Sequence, residues 1–248
     1  MQSNKTDVTL VVFALDKSGS MGSVNGLWQA AISGTNEFVQ SQDPTINTTL
    51  PPGHTLFGMV LFDTTVKWKT DTSVFNTPQQ ETYSDTEAPY VFNSISKFVP
   101  LTAEKYQPYG MTAMYDAVAK LITGVDLYII DHPEQNVNVI CVIQTDGEEN
   151  SSKRTSAKDL CEMITTRTLS GWKFTFLGAD QDACMSASLI GINRESAMCY
   201  SNDALQTRQV MNTMSNACVR NRTLPSDEQL QTQVAYTDAE RHACMGPR

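Results

Sequence analysis

The sequence predicts an α/β fold: a three-layer, doubly wound, mostly parallel sheet with one antiparallel edge strand and helices on both faces. Three observations predict it. Unbroken apolar runs such as Val8 to Leu15 (VTLVVFAL) and Val137 to Gln144 (VNVICVIQ) suit strands buried on both faces. Segments with helical spacing alternate with those runs, the pattern of strand–helix units around a parallel sheet. A short turn, Asp63-Thr64-Thr65, joins His54 to Phe62 with Val66 to Lys69 and reads as a hairpin, hence the antiparallel edge.

The elements follow in order. After the first strand and the turn DKSGSMG, Val24, Leu27, Ala31 and Phe38 recur at helical spacing through about Gln40. DPTINTTLPPG is a loop, rich in Pro, Thr and Gly. The hairpin follows, and residues 71 to 107, with Pro78, Pro89 and Pro100, read as irregular surface connection in which Tyr90 to Phe98 could form a small helix. Thr112 to about Leu127 reads as a helix, Val137 to Gln144 as the second buried strand, and Ser156 to Leu169 as a helix. Lys173 to Leu177 is a third strand, Gln181 to Leu189 a helix, Ser196 to Tyr200 a short strand and Asp203 to Val219 a last helix. The expected division is one domain over 1–220 and a polar, weakly ordered tail over 221–248.

Bulk properties bound the function. The 248 residues suit one such domain with extensions, and 40% apolar residues suffice for a core. A net charge of -9 without any Lys/Arg run argues against nucleic acid as partner. No segment reaches the roughly 18 apolar residues that span a bilayer, and Met1 to Asp7 lacks a secretory-signal pattern. The six cysteines are scattered without a C-x-x-C pair, and six free thiols in a reducing, cytoplasmic setting are expected. Cys141, inside a strand, reads as a small buried hydrophobe. Trp28, Trp68 and Trp172 read as packing residues, His132 as a helix end, and Glu148 and Glu149 as solvated loop residues.

Ligands of such sheets bind outside the carboxyl ends of the strands. There stand Asp16-Lys17-Ser18-Gly19-Ser20, Thr145-Asp146-Gly147 and, opening a helix, Gly110-Met111-Thr112. Asp16, Ser18, Ser20, Thr112 and Asp146 all offer hard oxygens, which suit magnesium, calcium or manganese. Side chains alternating along an extended D-x-S-x-S would turn three of them to one point. Two carboxylates leave a divalent ion partly uncompensated, open to one more anionic oxygen such as a partner's Asp or Glu. The alternatives fit less well. An aspartyl-phosphate chemistry wants an acid two residues after Asp16, where Ser18 stands. Neither G-x-S-x-G nor a phosphate-binding G-x-x-x-x-G-K-[ST] occurs.

The constellation resembles the metal-ion-dependent adhesion site (MIDAS) of von Willebrand factor A (VWA) domains: D-x-S-x-S, a mid-chain Thr, and the Asp of a T-D-G turn. The resemblance covers about residues 7 to 220. It implies that Asp16, Ser18, Ser20 and Thr112 face a metal and that Asp146 acts through water. YGMTAMYDAV, TDGEENSS and GWKFTFLGADQDA further resemble single-domain VWA proteins of bacteria and their viruses, a group that implies no reaction. The expected function is non-enzymatic: a metal-dependent module that binds a protein partner's carboxylate. The alternative is a structural component of an assembly such as a virus particle, with its contacts elsewhere.

Overall fold

The computed structural model describes residues 5–69, 88–179 and 182–245. Seven strands among them form one sheet: β1 (Thr6–Asp16), β2 (His54–Phe62), β3 (Val66–Trp68), β4 (Asn93–Ser94), β5 (Gln135–Thr145), β6 (Lys173–Ala179) and β7 (Ala197–Tyr200). The order across the sheet is β3-β2-β1-β5-β6-β7. The β1–β2, β1–β5, β5–β6 and β6–β7 pairs are parallel, and β2–β3 is antiparallel. The same outer edge of β2 also takes β4, antiparallel, at Phe57 and Leu56. The small helix expected around Tyr90 to Phe98 is therefore β4 followed by a single 3-10 turn, Ile95–Lys97. Residues 71–87 of the expected irregular stretch lie outside the described residues.

Seven helices accompany the described strands: α1 (Leu27–Gln42), α2 (Met114–Asp131), α3 (Ala157–Leu169), α4 (Asp182–Leu189), α5 (Ala204–Arg222), α6 (Ser226–Gln231) and α7 (Asp238–Cys244). Successive side chains of a strand point to opposite faces, so β1 must be apolar throughout if both faces are covered. Val11, Phe13 and Leu15 meet Phe38 and Val39 of α1 and Val210 and Met214 of α5. Leu10, Val12 and Ala14 belong to one buried cluster with Val118 and Leu121 of α2, Leu160 and Ile164 of α3 and Ala187 of α4. A Cβ at Gly34 would lie 2.7 Å from Cβ of Met211, so the missing side chain sets how closely α1 and α5 approach. Trp68 and Trp172 are buried in the core, and Trp28 stacks on Tyr106. No helix among the described residues is long and apolar enough to cross a membrane.

Two expectations are corrected. The segment after Asn221 is not a loose tail: Val234, Tyr236 and Cys244 are buried in the core beside α5 and β7. Thr237 and Glu240 form a capping box at the start of α7, and Arg241 donates to the carbonyls of Arg194, Glu195 and Ala197. The polar composition had hidden three anchors at wide spacing. Nor are all cysteines free: Cys199 is disulfide-bonded, whereas Cys141, Cys161, Cys218 and Cys244 are free thiols.

Candidate metal centre

The parallel register of β1 and β5 places Leu15 opposite Gln144, so Asp16 and Thr145 leave the sheet side by side. Their side chains meet there. The buried Asp16 carboxylate accepts from the Thr145 hydroxyl at 2.6 Å and from the Ser18 backbone N–H at 2.7 Å. Burial nevertheless dominates and pushes its pKa up to about 6, against the lowering effect of those bonds. A carboxylate held in this state gains from any cation that replaces its lost water.

Beyond Ser18 the chain does not stay extended. Ser18 caps a 3-10 turn, Gly19–Gly22, with ψ 167°, and Ser20 lies inside that turn. The turn folds the two hydroxyls together, Oγ to Oγ 3.0 Å, and Ser20 Oγ donates to Asp146 Oδ1 at 2.8 Å. Convergence of D-x-S-x-S thus comes from a turn, and the alternation argued from sequence holds only as far as Ser18.

Thr112 arrives from the third loop. A Cβ on Gly147 would lie 3.3 Å from Thr112 Oγ1 and 3.4 Å from Ser20 Oγ. The two hydroxyls therefore border one small space, which a side chain at 147 would fill. The loop before Thr112 is bound to the others at nearly every residue. Tyr109 N–H donates to the Lys17 carbonyl at 2.9 Å, and Gly19 N–H to the Gly110 carbonyl at 3.0 Å. Met111 N–H donates to Thr64 Oγ1, Thr112 N–H to Asn150 Oδ1, and Ala113 N–H to the Asp63 carbonyl. Gly110 has φ +73°, and a Cβ there would meet Thr64 Oγ1 at 2.5 Å, so only glycine fits.

All five residues singled out in the sequence are thus brought to the carboxyl ends of β1 and β5. The donor set is two carboxylates and three hydroxyls, and among the described residues no cluster of three or more His, Cys, Asp or Glu occurs. That set fits a hard divalent cation. Sequence reasoning missed the residues that hold the site together. Lys17 forms a buried ion pair with Asp63, behind the motif loop. Tyr106, fully buried, donates its hydroxyl to the Asp16 carbonyl. Glu149 is no solvated loop residue. Its carboxylate accepts from Tyr115 N–H in the first turn of α2, from the N–H groups of Ser151 and Ser152, and from the Ser152 hydroxyl. Asp116 in turn accepts from the N–H groups of Lys153, Arg154 and Thr155. Only the signal at Tyr106 was legible in principle, as an aromatic inside an otherwise polar stretch.

No protein-family model matches the chain, and no curated protein matches it. Solved structures do. One is proximal thread matrix protein 1 from the mussel byssus with a zinc-occupied MIDAS motif, at TM-score 0.53 and 14% identity, covering 88% of this chain and 47% of that one. A von Willebrand factor type A structure from Catenulispora acidiphila matches at TM-score 0.52 and 17% identity, covering 87% and 43%. The pilus adhesin SpaC from Lactobacillus rhamnosus GG matches at TM-score 0.53 and 13% identity, covering 89% and 31%. The chain spans less than half the length of these structures. At such identities the likeness establishes the fold, which is VWA-like.

Proposed function

We propose that this chain is a non-enzymatic binding module that takes the carboxylate of a partner protein through a divalent cation. Asp16, Ser18, Ser20, Thr112 and Asp146 would hold the ion, magnesium in the first place and calcium or manganese as substitutes. The observation that carries the reading is the gathering of hard oxygens at one place: Asp16 bonded to Thr145, the adjacent Asp146 bonded to Ser20 and Ser20 to Ser18, with Thr112 across Gly147. When bound, the ion supplies a positive charge that two carboxylates do not fully balance, and so a preference for a third. An entering carboxylate gains a charge-assisted contact in a partly desolvated place. The mussel thread neighbour's zinc-occupied MIDAS motif supports a divalent ion in this fold and makes zinc a competitor worth including.

Placement of the histidines supports binding over catalysis. His54 opens β2 and His132 follows α2, both at the end of the sheet away from the site, and His242 lies on α7. His132 stacks on Tyr128. Of the other acids near the loops, Glu149 and Asp116 are spent on backbone N–H groups and Asp63 pairs with Lys17, while Glu148 is exposed to solvent.

The test has two parts. Magnesium should raise the melting temperature of the chain, because an ion that binds only the folded state stabilises it by mass action. It should leave Asp146→Ala unmoved. Partners captured by the wild type in magnesium should then be lost in chelator and by Asp16→Ala. Capture that is the same under all these conditions would reject the reading and favour an assembly component with contacts elsewhere.

A further inference from the structure

We infer that Tyr109 and Met111 form an apolar rim beside the metal site, and that the partner segment taken there carries an aromatic or aliphatic side chain next to its carboxylate. The inference rests on the metal reading and specifies its partner. Met111 immediately precedes Thr112, and Tyr109 stands on the other side of Gly110. Tyr109 is 54% exposed and Met111 50%. Their backbone is nonetheless fixed: the N–H groups of 109, 111, 112 and 113 are all bonded to the neighbouring loops. Gly22 closes on Pro108 from the motif turn, 3.3 Å from its would-be Cβ to Pro108 Cβ.

The same loop shows what a packing aromatic looks like here. Tyr106 is fully buried, stacked on Trp28 and bonded to the Asp16 carbonyl. Tyr109, three residues on, has a fixed backbone and is half exposed. Large apolar side chains on a rigid loop, continuous with a proposed ligand-coordinating residue, are placed to meet a ligand. A tyrosine offers broad contact at little entropic cost, and a methionine adapts to varied shapes.

Charge points the same way. The chain carries -9, and Glu148 is exposed on the loop across the site. An acidic partner segment is repelled by that charge at long range, so short-range contact favours it beside the ion, and Tyr109 and Met111 offer exposed apolar surface for such contact. An apolar neighbour of the partner's carboxylate would cover Tyr109 and Met111 as the carboxylate reaches the ion.

The probe is a bead library of eight-residue peptides with a fixed central Asp and randomised flanks, screened in magnesium and in chelator. Magnesium-dependent retention should be enriched in Phe, Tyr, Leu, Ile or Met within two positions of the Asp. In the Tyr109→Ser/Met111→Ser double variant that enrichment should vanish, and the best peptide should bind about tenfold more weakly. Titration with magnesium alone, read by melting temperature, checks that the variant still folds and takes the ion. Retention that needs magnesium and Asp but shows no apolar enrichment, or an enrichment the double variant keeps, overturns the inference and leaves the metal reading standing. Absence of any magnesium-dependent retention overturns both.

Discussion

Asp16 carries an opposed pair of energies. Its carboxyl is buried and pushed up to about 6, so the metal-free fold disfavours its charged form relative to the unfolded chain. A raised carboxyl contributes stability that is fully present below its unfolded value, near 3.8, and is lost as the pH rises through about 6. At neutral pH the metal-free fold therefore bears a penalty on the order of 3 kcal/mol from this one group. Asp16→Asn keeps an acceptor for Ser18 N–H and can donate to Thr145 Oγ1. In chelator it should raise the melting temperature at pH 7.5 by several degrees and clearly less at pH 4.5, where most of the penalty is gone. In magnesium at pH 7.5 the order should reverse, with the wild type ahead. Melting curves at the two pH values check this, and equal destabilisation by Asp16→Asn in all conditions would remove the electrostatic account.

At the scale of elements, α2 depends on a loop that begins fifteen residues after its own end. Ala113, at the N-cap of α2, makes no side-chain capping bond. Glu149 supplies the missing acceptor at Tyr115 N–H, and Asp116 in the first turn ties down residues 153 to 155 in return. A negative side chain at this helix end also opposes the partial positive charge of the exposed N–H groups. Glu149→Ala should cost about 2 kcal/mol of unfolding free energy, since hydrogen bonds to a charged group are lost and their donors stay half-buried. It should also weaken magnesium binding without touching the ion, because Thr112 is presented by the same pair of loops. Urea denaturation and a magnesium titration of the variant measure the two effects. A variant that loses stability but binds magnesium as tightly as wild type would uncouple α2 from the site.

For the whole molecule, the carboxyl-terminal segment closes one face of the sheet. Tyr236 is buried and shares a hydrogen bond with Thr175 of β6, while its backbone N–H donates to the Glu195 carbonyl. Arg220 of α5 pairs with Glu240 of α7. Tyr236→Ala should cost about 3–5 kcal/mol, the range for emptying a buried aromatic site. Truncation after Leu224 should cost more, because Val234 and Cys244 leave the core together with it. Urea midpoints decide this. A truncated chain as stable as the full one would restore the reading of this segment as a weakly ordered tail.

The layered α/β architecture was legible in the sequence, because short apolar runs such as VTLVVFAL suit strands covered on both faces and alternate with segments of helical spacing. The sequence also marked five hard-oxygen side chains at strand ends, Asp16, Ser18, Ser20, Thr112 and Asp146, which the topology rule brings together. Tertiary structure decided what no local pattern encodes. The 3-10 turn that folds Ser20 onto Ser18 and Asp146, the anchoring of Thr112 through Asn150 and Thr64, and the Lys17–Asp63 pair all depend on contacts between residues distant in the chain. The role of Glu149 and the burial of Val234, Tyr236 and Cys244 are of the same kind. A polar residue's own sequence neighbourhood reads the same whether its partner is water or a backbone N–H brought from another loop. Only the fold supplies that partner.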